Sequence, residues 1–226
     1  VSRVERVANQ IAVKVANELQ LDVDKKAVIA YGIFAFIHMF LCILAVIIVG
    51  AVFGVALEAF LISLTTAIFR KSSGGAHASK PWICNVEGVV VSVVPAILLG
   101  MLGHQLTMYL LLIIGFVAFI WAYHITLKLA PVDSLSKPIK KQATREKLKK
   151  KSILILNVYV GVVLVNILMF YFIKHNRFLI YSFCIYIGVI WQAFTLTESG
   201  HLLLNQVDIF LNNIYSIRGG RKNEKS

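Results

Sequence analysis

The sequence predicts an all-α, polytopic integral membrane protein with about six transmembrane helices, preceded by an N-terminal amphipathic helix in the membrane interface. Three observations lead there. Of 226 residues, 58% are hydrophobic and only 15% are charged, against roughly 45–50% and 25% in soluble domains. Mean hydropathy is +0.79, which leaves too little polar surface to coat a water-soluble globule. Apolar stretches of about 20 residues, the length that crosses a bilayer as a helix, recur between charged segments.

Taken in order, the elements form a single membrane domain over residues 1–226. Within residues 1–26, Val4, Val7, Ala8, Ile11, Ala12, Val15 and Leu19 recur at helical spacing, with Arg3, Arg6 and Lys14 among the other positions. That pattern predicts a helix lying in the interface or packed on the rest of the protein. The segment has no continuous apolar core, so no cleavable signal peptide is expected. Residues 28–127 hold four spans. From Val28 to Phe69 the only formal charge is Glu58, which predicts two helices with a tight turn near Gly50 to Gly54. A polar segment from Arg70 to Glu87 follows. Val89 to Leu102 is apolar but short, hence tilted or incompletely spanning, whereas Leu106 to Leu127 crosses comfortably. Residues 128–151 form a basic connector containing Pro131 and Pro138. Residues 152–197 hold two further spans, Ile153 to Ile173 and Phe178 to Leu196, and residues 198–226 form a tail that ends basic. Glu58 and Glu198, in or near spans, predict paired or hydrated contacts between helices.

The net charge of +12 comes from 23 Lys and Arg against 11 Asp and Glu. It lies between apolar runs, where positive charge sets membrane topology, so nucleic acid is not expected as a partner. Alternate segments carry 21 of these cations on one side of the membrane and 2 on the other. Both termini, the Arg70 segment and the connector are therefore expected on the cytoplasmic side. The three cysteines, an odd count in separate contexts, argue against a disulfide framework. Cys42 and Cys184 lie in apolar runs as packing residues, while Cys84 stands in the polar segment.

That segment, Arg70-Lys71-Ser72-Ser73-Gly74-Gly75-Ala76-His77-Ala78-Ser79-Lys80-Pro81-Trp82-Ile83-Cys84, carries a His seven residues before the Cys. Cysteine attacks as the thiolate, and an imidazole within reach takes its proton. Seven residues is about two helical turns, but Gly74, Gly75 and Pro81 disfavour an unbroken helix. A zinc site wants three or four protein ligands and the segment offers two good ones, so neither metal nor cofactor is expected. His104 and His124 belong to other segments. On spacing alone, a loop without chemistry remains the alternative.

The run Phe69 to His77, followed by Cys84, resembles the catalytic segment of the accessory gene regulator protein B family, bacterial membrane cysteine endopeptidases that process quorum-sensing propeptides. Ala130-Pro131-Val132-Asp133, with Lys137-Pro138-Ile139, is similar to the family's proline-containing connector. The resemblance implies His77 as general base and Cys84 as nucleophile, with Arg70, Gly74 and Gly75 as supporting or substrate-binding positions. Arg70 is open to two roles, holding a substrate carboxylate or anchoring a membrane boundary. Asp133 and Glu87 both remain open as the acid that orients His77. The glycines have several possible roles: freeing the backbone, exposing N–H groups to substrate or an oxyanion, or ending a helix. The implied substrate is a small propeptide with a membrane-associating leader and an acidic tail. It would be cut through a Cys84 thioester and closed to a thiolactone or lactone at the bacterial cell membrane. The resemblance also allows a homodimer. A small transporter or exporter without peptidase activity is the alternative, with Glu58 and Glu198 in its favour.

Overall fold

The computed structural model describes residues 3–76, 78–103, 105–133, 139 and 141–223. His77, His104, Lys137 and Pro138, all named by the sequence reading, lie outside the described residues. Among the described residues there are eight helices: α1 (Arg3–Glu18), α2 (Val23–Val52), α3 (Ala56–Ser73), α4 (Pro81–Leu102), α5 (Met108–Leu129), α6 (Gln142–Ile173), α7 (Arg177–Phe194) and α8 (Glu198–Asn223). No strand occurs among them; Gly74 and Val132 form an isolated parallel bridge. The chain gathers into two compact units, one up to Ala45 and one from Val46 onward.

In the first unit, α1 buries Ala8, Ala12 and Ala16, which follow one another at intervals of about one helical turn. The helix closes as Leu21 N–H donates to Ala16 O at 2.9 Å, with Gln20 at φ 49°, the left-handed exit common at helix ends. Asp22 then opens α2: its Oδ1 accepts from the Lys25 N–H at 2.8 Å, satisfying one of the orphan donors of the first turn.

The second unit is organised around α7. Helices α3, α4, α5 and α6 all pack on it, so α7 buries Leu179, Phe183, Cys184, Tyr186, Val189 and Ala193. Gly188 sets the approach of α3, since a Cβ there would lie 2.7 Å from Thr65 Cβ and 3.0 Å from Ile62 O. Small residues at such crossings let two backbones come close. Tyr159 of α6 donates its hydroxyl to Thr65 O at 2.9 Å, tying a third helix to the same level. Gly188→Ala is therefore expected to destabilise the bundle by about 1–3 kcal/mol, read as a lower Tm in detergent. An unchanged Tm would mean that the crossing has slack.

Five helices, α2, α4, α5, α6 and α7, are long and apolar enough to cross a membrane. Met101, Tyr109, Phe116, Leu154 and Phe172 are exposed on them, an outer surface suited to lipid. The break between α2 and α3 falls where the sequence puts it, with Gly54 at φ 71°. The sixth expected segment, α3, has 18 residues and carries Glu58, Arg70 and Lys71. Glu58 and Glu198 stand in the first turns of α3 and α8, where a carboxylate meets the positive end of the helix dipole.

Two sequence boundaries are corrected. The short apolar segment expected at Val89 is the later part of a 22-residue helix that begins at Pro81. Proline suits the first helical position, where its missing N–H costs nothing, and the helix absorbs the polar residues as far as Glu87. Half of the expected connector is helix as well, because α6 starts at Gln142 in a run of strong helix formers free of Gly and Pro. The tail forms α8 as far as Asn223.

Candidate functional site

The site is assembled where α3 ends and α4 begins. Arg70 lies in the last turn of α3, and its guanidinium donates to Ala76 O. Ser73 Oγ donates back to Phe69 O at 2.9 Å, a satisfied arrangement for a fully buried hydroxyl. Gly74 stops the helix: it adopts φ 70° and ψ −147°, and its N–H donates to Arg70 O at 3.0 Å.

The chain then runs between two distant partners. Val132 N–H donates to Ser73 O at 2.9 Å, which brings the proline-containing connector against the glycines. From α7, the Gln192 side-chain amide donates to Gly74 O at 2.7 Å and to Ser73 Oγ at 3.1 Å. Ala76 N–H donates to Thr195 O at 3.1 Å. Gly75, at φ 128°, passes so close that a Cβ would meet Thr195 Oγ1 at 2.7 Å. Gly74 thus ends α3, and both glycines lie against other parts of the chain, Gly74 against Val132 and Gly75 against Thr195. The N–H groups of Gly74 and Ala76 are engaged inside the protein.

Cys84 occupies the fourth position of α4 and is partly buried. The Ile83 and Cys84 N–H groups donate to Lys80 O at 3.1 and 3.3 Å, so the sulfur is carried on the amino-terminal turn, at the positive end of the helix dipole. Arg70 and Glu87 both lie close enough to interact electrostatically with Cys84, and with opposite sign. Glu87 in turn interacts with Arg70 and with Asp208 of α8. One Glu87 oxygen, Oε1, is buried with no hydrogen-bond partner among the described residues.

The two candidate orienting acids are thus in different settings. Asp133 Oδ2 accepts from an Arg145 guanidinium N–H at 2.8 Å, and the same guanidinium reaches Pro131 O at 3.1 Å. Glu87 belongs to the Cys84 and Arg70 cluster. Near the start of α4, Ser79 is bound by α8: its N–H and its hydroxyl donate to Asp208 Oδ1 at 2.9 and 3.0 Å.

Sequence reasoning missed Gln192, Thr195, Arg145, Asp208 and Asn212. Gln192 alone left a usable signal, a polar amide in the last turn of an apolar span, where such groups need a partner.

Apolar helices packed around a glycine turn, with a partly buried cysteine on the helix that follows, define a polytopic helical membrane protein. The accessory gene regulator B family matches residues 8–196. AgrB-like protein 2 of Clostridium perfringens strain 13 is 35% identical over 212 residues, covering 93% of this chain and 99% of that protein. An AgrB-like protein of Clostridium perfringens strain SM101 is 34% identical with the same coverage. The accessory gene regulator protein B of Staphylococcus intermedius is 27% identical over 171 residues, 76% of this chain and 73% of that one. No solved structure matches significantly. The chain belongs to the accessory gene regulator B family, and so to a quorum-sensing system.

Proposed function

We propose that this protein is a membrane cysteine endopeptidase that removes the C-terminal tail of a small quorum-sensing propeptide and promotes cyclisation of what remains. The observation that carries the reading is Cys84, set on the amino-terminal turn of α4 beside Arg70 and Glu87.

His77 takes the proton of the Cys84 thiol, and the thiolate attacks the carbonyl carbon of the scissile bond. The C–N bond then breaks, and the proton passes from the imidazolium to the departing amine of the tail. The core is left as a thioester on Cys84. A Cys or Ser side chain of the core attacks that thioester, a thiolactone or lactone forms, and Cys84 recovers its proton. Ring closure beats hydrolysis because the second nucleophile is tethered and the site is partly shielded from water.

Glu87 orients His77 in this scheme. Its buried oxygen, which has no partner among the described residues, supports that role, while the Asp133 carboxylate is engaged by Arg145. Arg70 bonds Ala76 O, which supports a role in shaping the loop. The site and both termini face the cytoplasm of a bacterial cell, as the charge asymmetry supports. The cations on the amino-terminal half of α6 gather the acidic tail of the propeptide.

The test is intact-protein mass spectrometry of the reconstituted protein with the small propeptide encoded beside its gene. The expected result is an acyl adduct on Cys84 that hydroxylamine removes, together with a free tail and a core lighter by one water than the linear product. Tail release without any Cys84 adduct under single-turnover trapping would overturn the mechanism. An uncut propeptide beside a well-folded protein would favour the transporter reading.

A further inference from the structure

Ser79 stands between the two residues assigned the chemistry, and it is gripped from near the other end of the chain. Asp208 Oδ1 accepts two bonds from Ser79, one from its N–H at 2.9 Å and one from its hydroxyl at 3.0 Å. Asn212 completes a ring: its Nδ2 donates to Ser79 Oγ at 3.2 Å, to Asp208 Oδ2 at 3.1 Å and to Asp208 O at 2.9 Å. Asp208 and Asn212 are four residues apart on α8 and so share a face, which lets each hold the other's side chain in the rotamer that reaches Ser79. A carboxylate taking several donors makes charge-assisted bonds, the stronger kind.

The other end of the same loop is fixed independently. Ala76 N–H is bound to Thr195 O, and Ala76 O to Arg70. The loop therefore has one anchor at residue 76 and another at residue 79, with α4 beginning at Pro81. Asp208 also interacts electrostatically with Glu87, so α8 reaches both the loop and the acid beside Cys84.

We infer that α8 is part of the peptidase site, with Asp208 and Asn212 as positioning residues that latch Ser79 just ahead of α4. The inference rests on the endopeptidase reading above. Without the latch the loop keeps its upstream anchor and loses its downstream one, so base and nucleophile spend less of their time within reach. Misplacement by about 1 Å costs on the order of 100-fold in rate. On the same reading the α6 cations gather the substrate's tail, so the loss is expected on kcat rather than on KM.

The experiment compares wild type, Asp208→Ala and Asp208→Asn in proteoliposomes, by propeptide cleavage kinetics and by hydrogen exchange at the Ser79 amide. Asp208→Ala should speed exchange of that amide at least tenfold and lower kcat on the order of 10–100-fold at constant KM. Asp208→Asn retains a carbonyl acceptor for both Ser79 donors and should restore most of kcat. Faster exchange with kcat unchanged would overturn the inference and leave the peptidase standing. So would exchange that does not respond, or an Asn variant as impaired as Ala. A wild type that cuts no propeptide would overturn the peptidase reading and the positioning role together, whatever the exchange data show.

Discussion

Cys84→Ala is expected to abolish tail release, lowering its rate on the order of 10⁴–10⁶-fold, while the helical bundle remains intact. The asymmetry between activity and stability follows from where the sulfur sits. The first turn of α4 is held by backbone bonds from Ile83 and Cys84 to Lys80 O, which alanine keeps. The thiol is only partly buried, so its removal leaves little cavity. The other cysteines are internal controls. Cys184 is fully buried on α7, and Cys42 lies on α2; alanine at either should leave tail release within a few-fold of wild type. Liquid chromatography with mass spectrometry reads the released tail, and a circular dichroism melt in detergent checks the fold. A Cys84→Ala protein that still releases tail within tenfold of wild type would remove the nucleophile from the mechanism, and a transporter would be indifferent to the change.

Much of the fold is legible because a span announces itself locally. The apolar runs of α2, α5 and α7 are continuous, and the break at Gly50 to Gly54 is written in turn residues. The start of α4 is not legible in that way. Cys84, Asn85 and Glu87 look like loop on polarity, and only the tertiary setting makes a helix that starts at Pro81 the better solution. The amino-terminal half of α6 was hidden for a related reason, since its lysines read equally well as a charged connector or as a solvated helix.

The candidate site divides along the same line. Arg70, Gly74, Gly75 and Cys84 fall within one short stretch, so spacing and resemblance find them together. Gln192 meets Ser73 across a separation of 119 residues, and Asp208 meets Ser79 across 129. No periodicity encodes such pairings; they exist because α7 runs through the middle of its unit and α8 folds back on the loop. The acid beside Cys84 illustrates both halves of the lesson. Sequence left Asp133 and Glu87 equal; Arg145 engages Asp133, while Glu87 lies beside Cys84, and the proposal of Glu87 as the orienting acid rests on that difference.

Gly74→Ala is expected to combine a large loss of activity with a clear loss of stability, and Gly54→Ala makes the comparison sharp. The two glycines have nearly the same φ, 70° and 71°, where any side chain is strained, but Gly74 also has ψ −147°, a glycine-only conformation that costs another residue about 1–3 kcal/mol. At Gly54 a Cβ would meet nothing within 4 Å, whereas at Gly74 it would lie 2.1 Å from Val132 O and 3.2 Å from Val132 N. Those are backbone atoms and cannot rotate aside. The bridge to Val132 must open, and with it go the Val132 to Ser73 bond and the support that Gln192 gives to Gly74 O. Each such bond contributes about 1 kcal/mol, which brings the total at Gly74 to about 3–5 kcal/mol when added to the backbone cost. Because the turn leads directly into the loop before Cys84, tail release should fall at least about 100-fold, while Gly54→Ala should stay close to wild type. Paired melts and cleavage rates decide it. Equal effects at the two positions would mean that the approach of Val132 contributes nothing and that only the backbone angle matters.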